Sequence, residues 1–208
     1  EERVRPALDD KVLVSWNAML ITGLVDAASA LKEQEYLDMA IACGDFLLNK
    51  MKTENYRLNR NYKEGQATIN AFFDDYAFSI SAFLALYQAT FNEQWLHEAR
   101  GMTHYTKQHF FDEGSGMFWY TSDIDKPLIS RKTETMDTVI PSSNAEMASN
   151  LYKLGRYLSD ETYTDMAIRM VSAIKPLAIE HGRWYARWNK LMLEMAQEPV
   201  EIAIAGKE

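Results

Sequence analysis

The chain has 208 residues, 47% of them hydrophobic and 25% charged, a composition typical of one globular unit or of part of a larger protein. Its net charge of −8 excludes the basic surface that a nucleic-acid partner requires, and no basic run or apolar stretch of about 20 residues indicates a membrane partner. Cys43 is the single cysteine, so the chain has no internal disulfide or cysteine-based metal site. We expect neither metal nor cofactor. A cytoplasmic location is favoured, although one thiol does not fix the compartment.

A pattern of about 26 residues occurs three times along the chain, beginning at Ser15, Asp74 and Ser142. Superposing the copies aligns Tyr36 with Trp95. Each copy predicts a helical hairpin: the first helix is apolar on most sides, which indicates burial, and the second has one apolar face. The breaks between the two helices are short and polar, which suits antiparallel neighbours.

The hairpins are predicted over residues 9–52, 73–112 and 141–179, with a further helix over 187–197. The longer connections contain glycine turns flanked by aromatic and β-branched residues, which predict short β-hairpins. Inner helices that are buried and outer helices with a wet face form an α/α toroid, so the predicted fold class is all-α, a partial ring of three hairpins. A complete toroid of six hairpins would be about twice as long.

The apolar residues 200–205 read as a strand with no partner. We therefore predict that residues 1–199 belong to a toroid domain and that residues 200–208 begin a C-terminal segment that is cut short. On this interpretation the chain is a piece of a longer protein that supplies the other half of the ring.

The inner helices of such a ring point the same way, so their N-terminal ends meet at one mouth of the central cavity. Acids, amides, aromatic rings and loop arginines are expected there, a mixture that suits a small carbohydrate ligand. The predicted binding residues are Arg5, Asp9, Lys11, Trp16, Asn17, Arg60, Asp74, Tyr76, Arg131, Ser142, Ser143 and Asn144.

Helix capping is the alternative explanation for many of these polar residues, because Ser, Asp and Asn side chains accept from free backbone N–H groups. Ser143 with Glu146 three residues later fits a capping box. Asp9 and Asp10 also have a simple structural explanation, since either can pair with Lys11 or with Arg5.

Glycoside hydrolysis requires two carboxyl groups across a cavity, one to protonate the leaving oxygen and one to activate water or attack. Asp10 and Asp75 are the predicted catalytic pair, because they lie at equivalent mouths of adjacent hairpins. We expect Asp74 to cap its helix and Asp75 to face the cavity beside Tyr76. The sequence does not distinguish the acid from the base.

Several motifs together resemble the C-terminal region of the YyaL-type, spermatogenesis-associated, thioredoxin-domain-containing family: "RVRPALDDKVLVSWNAMLI", "FFDDYAFSISAFLALYQATFNEQWLHEA", "GMFWYTSDIDKPLISRKTETMDTVIPSSNA" and "PVEIAIAG". The resemblance implies an N-terminal thioredoxin-like domain in the same protein and an (α/α)6 toroid like those of six-hairpin glycosidases and N-acylglucosamine 2-epimerases. Ala18 departs from the glycine usual in that family. The positions that match the family pattern are Arg5, Pro6, Asp9, Asp10, Lys11, Trp16, Asn17, Asp75, Tyr76, Arg131, Pro141, Ser142 and Asn144.

Three functions remain open at this point. The acids and rings at the mouths favour a hydrolytic, carbohydrate-active enzyme. A non-catalytic scaffold that binds sugar or protein beside the thioredoxin-like domain is the second possibility. A sugar epimerase is the third, and it is disfavoured because epimerases of this type work through cavity histidines and none of the four histidines is predicted at a mouth.

Overall fold

The computed structural model describes residues 3–126 and 130–198 of the chain. The predicted strand at residues 200–205, and the segment boundary drawn there, lie outside the described residues. The helices are α1 (Val14–Leu31), α2 (Gln34–Phe46), α3 (Phe73–Thr90), α4 (Glu93–His109), α5 (Ser143–Tyr157), α6 (Glu161–Glu180) and α7 (Ala186–Ala196). The strands are β1 (Val12–Leu13), β2 (Asn59–Lys63), β3 (Gln66–Asn70), β4 (Phe111–Asp112) and β5 (Met117–Phe118).

The helices pack as the three predicted hairpins, α1 with α2, α3 with α4 and α5 with α6. Helix α3 also packs against α1 on one side and α5 on the other, which makes these three the inner helices of the ring. Helix α7 packs against both α5 and α6. The prediction of an all-α fold, a partial α/α toroid with short β-hairpin loops, is confirmed.

Helix α3 forms the centre of the hydrophobic core. Its residues from Phe73 to Leu84 are all buried, as expected for a helix that is apolar on every side. The ring of Phe73 stacks on Phe118 with centroids 4.7 Å apart, and Phe83 packs against Trp95 of α4 at 5.4 Å. This packing fixes the position of the α3 N-terminus, where the two adjacent aspartates lie.

Helix α1 is less covered than α3. Ala18 and Ile21 are fully buried, whereas the Trp16 side chain on the opposite face is 66% exposed. Among the described helices, α1 alone is long and apolar enough by length and composition to cross a membrane, a test that core helices of other proteins also pass.

A three-stranded antiparallel sheet precedes α3, with β2 between β1 and β3. Asn59 pairs with Asn70 and Tyr62 with Ala67 across the β2–β3 hairpin, and Gly65 adopts a positive φ of 81° in its turn. The hairpin places Arg60, the second residue of β2, at the start of α3. The second predicted hairpin is also present, where β4 pairs with β5.

Candidate active site

Two acidic side chains at the start of α3 share one guanidinium group. Arg60 Nη1 donates to Oδ1 of Asp74 at 3.0 Å and to Oδ2 of Asp75 at 2.7 Å. The guanidinium carbon also lies 4.8 Å from the centroid of the Phe72 ring. Since one positive charge faces two carboxylates, the cluster keeps a net negative charge when both acids are ionised.

Asp75 is the residue that caps α3. Its side chain is fully buried, Oδ2 accepts from the backbone N–H of Phe72 at 3.0 Å, and Oδ1 accepts from the backbone N–H of Ser15 at 3.1 Å. It therefore satisfies free N–H groups at the starts of both α3 and α1.

The roles expected of the two aspartates are therefore reversed. Asp75 caps the helix and Asp74 reaches the cavity, opposite to the prediction. The reason is position: Asp75 is the third residue of α3, from which a carboxylate reaches back to the N-cap N–H. Asp74, one residue earlier, pairs with Arg60 and lines the cavity instead.

Opposing interactions act on the protonation of Asp75. Burial, and next the charge of Asp74, raise its pKa to about 7, although Arg60 and the N–H groups of Phe72 and Ser15 lower it. Burial lowers the pKa of Arg60, but Asp75 and Asp74 raise it overall, so the guanidinium stays charged. A carboxyl group whose pKa is raised in this way beside an opposite charge is typical of functional sites.

Asp74 lines a cavity of about 340 Å³ between the start of α3 and the loop that leads into α5. This volume is within the range of small-molecule sites. Tyr120 and Glu134 line the same cavity. The remaining lining residues are Thr133, Thr135, Met136, Thr138, Ile140, Pro141 and Ser142.

Glu134 is a second acid in this cavity. Burial and then the charge of Asp74 raise the pKa of Glu134, against smaller lowering effects of Ser143 and Arg60. Burial, followed by Asp74, likewise raises the pKa of Tyr120. Within the described residues there is no group of three or more His, Cys, Asp or Glu side chains that could hold a metal ion.

The predicted residues at the start of α5 hold the loop that carries Glu134. Ser142 Oγ accepts from Ala145 N at 3.1 Å and caps the helix, whereas Ser143 Oγ donates to Glu134 Oε2 at 3.3 Å. Asn144 Nδ2 donates to the backbone oxygen of Glu134 at 3.0 Å. Of the three, Ser142 itself also lines the cavity.

The structure does not bring Asp10 together with Asp75. The Asp10 side chain is 53% exposed and pairs with Lys63 Nζ at 2.8 Å, and this hydrogen bond lowers the Asp10 pKa. Asp75, in contrast, is enclosed at the start of α3. The geometry therefore gives no support to a catalytic pair made of these two residues.

The other predicted residues of the first hairpin lie away from the cavity lining. Asp9 pairs with Lys11 at 3.2 Å, as the alternative explanation proposed. Arg5 and Trp16 are exposed. Asn17 Nδ2 donates to Leu13 O at 2.8 Å and is part of the α1 start.

Tyr76 and Arg131 have structural contacts. Tyr76 is fully buried in the core rather than beside the cavity: its hydroxyl oxygen accepts from Leu58 N at 2.8 Å and its ring stacks on Tyr105 at 5.3 Å. Arg131 donates from Nε to the backbone oxygen of Thr121 at 3.2 Å. The expectation that these side chains face a ligand is not met by their positions.

Sequence analysis missed Glu134 and Tyr120. The sequence contains a signal for Glu134, because it lies three residues after the predicted binding residue Arg131 in the loop that precedes an inner helix. Glu134 lies in an irregular segment rather than at a helix start, so the pattern of polar residues at helix starts does not indicate it.

The α/α toroid and its acidic cavity define the class of carbohydrate-active proteins built on this ring. Residues 16–138, more than half of the chain, match the profile of glycosyl hydrolase family 76. The chain belongs to that family.

Curated relatives confirm the resemblance to the spermatogenesis-associated family. Uncharacterized protein B0495.5 of Caenorhabditis elegans is 33% identical over 174 residues, which cover 80% of this chain and 24% of that protein. Spermatogenesis-associated protein 20 of Homo sapiens is 26% identical over 183 residues, 83% of this chain and 23% of that protein. The chain thus spans about a quarter of the length of these relatives.

Solved structures share the fold at low sequence identity. A family 76 α-mannanase from Bacteroides thetaiotaomicron superposes with a TM-score of 0.73 at 17% identity, over 91% of this chain and 54% of that one. A cellobiose 2-epimerase from Bacillus thermoamylovorans gives 0.63 at 14%, over 81% and 46%. An α-1,6-mannanase from Salegentibacter sp. gives 0.63 at 15%, over 78% and 47%; it is an inactive variant with two consecutive aspartates replaced by asparagine, bound to α-1,6-mannotriose.

Proposed function

We propose that this chain forms part of a glycoside hydrolase site at the start of α3, with Asp74 as the carboxylate that faces the substrate. The observation that carries the proposal is the position of Asp74: it lines the cavity while Arg60 ties it to the buried Asp75. Asp75 is the positioning residue of the pair, since it holds Arg60 and the start of the helix.

The chemistry of hydrolysis suits this arrangement. Cleavage of a glycosidic bond needs a carboxylate next to the anomeric carbon and a second group that protonates the leaving oxygen. A carboxylate fixed by a guanidinium does not need to reorganise as positive charge develops on the sugar. Membership of glycosyl hydrolase family 76 supports this reaction class.

The proposed substrate is an α-mannosidic saccharide. Two neighbours of the fold are mannanases, and in one of them an inactive variant carries substitutions at two consecutive aspartates. Asp74 and Asp75 are likewise consecutive. No histidine lines the cavity in the part of the chain that the structure describes, which favours hydrolysis over epimerisation. A thioredoxin-like domain in the same protein remains a prediction.

The test is hydrolysis of α-1,6-mannotriose by the complete protein, compared with the variant Asp74→Asn. Wild-type protein is expected to release mannose and mannobiose, and the variant to lose at least about 100-fold in rate. The fold should persist, because Arg60 keeps its contact with Asp75. Asp165→Asn, on the exposed surface of α6, is the matched control and should not change the rate.

Two results would contradict the proposal. Full activity of Asp74→Asn would show that Asp74 is not the reacting carboxylate. Wild-type protein that binds mannotriose in a calorimeter without cleaving it would instead favour a non-catalytic sugar-binding module.

A further inference from the structure

We infer that the outer wall of the ring carries a second saccharide-binding site, formed where Tyr56 lies against α4. Two adjoining cavities of about 410 and 270 Å³ share Tyr56, Gly101 and His104, and together they make up what we name the Tyr56 platform. Neither cavity shares a lining residue with the cavity that contains Asp74. The choice of a saccharide as ligand rests on the proposed function, whereas the geometry around Tyr56 defines the site itself.

The backbone that presents Tyr56 has an unusual conformation. Asn55 and Tyr56 are consecutive residues with positive φ angles of 59° and 63°, in the left-handed region that residues with a Cβ atom disfavour. Asparagine tolerates this region better than most residues do, but a bulky tyrosine does not. Strained residues of this kind cluster at ligand-binding sites, where the surrounding structure holds them in place.

Contacts at the base of the loop hold this conformation. Thr53 N donates to Arg57 O at 2.7 Å, which closes the loop on itself. Lys52 Nζ donates to both carboxylate oxygens of Glu98 in α4, at 2.8 and 2.6 Å. The same ammonium group lies 5.1 Å from the centroid of the Tyr56 ring. The loop is therefore fixed to α4 in the absence of any ligand.

Gly101 allows the Tyr56 ring to lie directly on α4. A Cβ atom at position 101 would overlap Cε1 and Cζ of the Tyr56 ring and would lie 2.7 Å from Cδ1. A glycine in the interior of a helix is destabilising relative to alanine. The close approach of the Tyr56 ring is a physical reason for glycine at this position.

The polar groups around the ring suit a ligand that is rich in hydroxyl groups. Asn55, His104 and Gln108 line the larger cavity, and no other side chain in the described part of the chain forms a hydrogen bond or ion pair with theirs. An aromatic ring can cover the apolar face of a sugar, while amide and imidazole groups bind its hydroxyls. The Tyr56 platform offers both kinds of contact.

The cations beside the ring already have partners within the protein. Lys52 pairs with Glu98. Arg100, which lines the smaller cavity, forms a hydrogen bond with the hydroxyl of Tyr163. An anionic ligand would have to compete with these contacts, so a neutral saccharide fits the platform better.

A site apart from the Asp74 cavity would hold a long saccharide chain on the protein without taking part in its cleavage. Attachment at a second point raises the effective concentration of the polymer at the first. Loss of the Tyr56 platform should therefore weaken binding of a polymer and leave short substrates unaffected.

The test measures how strongly soluble α-1,6-linked mannan retards the complete protein in native gels. Asp74→Asn is the background, so that the polymer is not cleaved. Adding Tyr56→Ala should raise the apparent Kd for mannan at least about fivefold, because an aromatic contact is lost. In otherwise wild-type protein, Tyr56→Ala should raise KM for mannan, with kcat and the hydrolysis of α-1,6-mannotriose unchanged.

The controls separate the platform from general effects of substitution. Phe91→Ala removes another ring from a residue with positive φ, 53°, whose side chain is 77% exposed, and it should leave the Kd unchanged. Tyr56→Phe keeps the ring and should stay within about twofold of the background. His104→Ala removes an exposed polar group without disturbing the core, and it should also weaken mannan binding. Thermal unfolding checks that each variant is folded.

The outcomes distinguish this inference from the proposed function. An unchanged Kd in both Tyr56→Ala and His104→Ala, or an equal loss in Phe91→Ala, overturns the platform and leaves hydrolysis at Asp74 standing. A wild-type protein that cleaves neither mannan nor mannotriose, but whose retardation by mannan still depends on Tyr56, overturns the proposed hydrolysis and leaves the platform standing.

Discussion

Replacing Arg60 by Met removes the positive charge shared by the two aspartates while keeping a side chain of similar length. In the native protein, Nη1 lies 3.0 Å from Asp74 and 2.7 Å from Asp75. The side chains of these acids are 8% and 0% exposed, so water does not replace the lost guanidinium. The variant therefore holds two adjacent buried carboxylates without their counter-ion.

The expected cost depends on pH. Removing one partner of a buried ion pair costs about 3–5 kcal/mol of unfolding free energy, and we expect the cost to approach this value at pH 8, where the variant must either keep a buried carboxylate unpaired or hold a proton on it. The Asp75 pKa is already raised to about 7 in the native protein, and loss of Arg60 raises it further. A group whose pKa is higher in the folded state than in the unfolded state stabilises the protein at pH values below its unfolded-state pKa. This stabilisation is lost as the pH rises through its folded-state pKa.

The destabilisation should consequently be smaller at pH 5, about 1–2 kcal/mol, because pH 5 lies below the Asp75 pKa of about 7 and Arg60 there neutralises one carboxylate fewer. Urea unfolding at pH 5 and pH 8, followed by circular dichroism, measures both values. Arg169→Met on the exposed surface of α6 is the control, and the double variant Arg60→Met/Asp75→Asn should recover part of the loss at pH 8. An equal cost at both pH values, or none, would refute the charge argument.

Two further substitutions test the packing around the site. Tyr76→Phe leaves the buried N–H of Leu58 without its acceptor, so thermal unfolding should show a loss of about 1–3 kcal/mol while mannotriose hydrolysis is unchanged; a loss of activity at native stability would place Tyr76 in the site. Gly155→Ala would put a Cβ 2.9 Å from Thr164 N and 3.1 Å from Asp160 O. Because this Cβ forces α5 and α6 apart, the unfolding free energy should fall by about 1–3 kcal/mol. A more stable variant would show that these helices adjust freely.

The fold was predictable because it repeats. Three copies of one pattern, with aligned positions such as Tyr36 and Trp95, carry the same information three times, and the helix periodicity of each supports the others. The structure contains three helical hairpins, α1–α2, α3–α4 and α5–α6.

The site was only partly predictable, because side-chain direction depends on single positions. The sequence singled out Asp74 and Asp75, but which of them caps α3 depends on the residue at which the helix begins. Asp10 pairs with Lys63 through the β1–β2 register, which no local pattern specifies. Glu134 reaches the cavity because tertiary contacts from α5 and α7 fix an irregular loop.

The most direct test of the account is a crystal structure of the complete protein carrying Asp74→Asn, soaked with α-1,6-mannotriose. We expect density for the saccharide in the cavity, with an anomeric carbon next to position 74. A saccharide bound elsewhere, or a cavity that stays empty at saturating ligand, would contradict the claim that Asp74 faces a scissile bond.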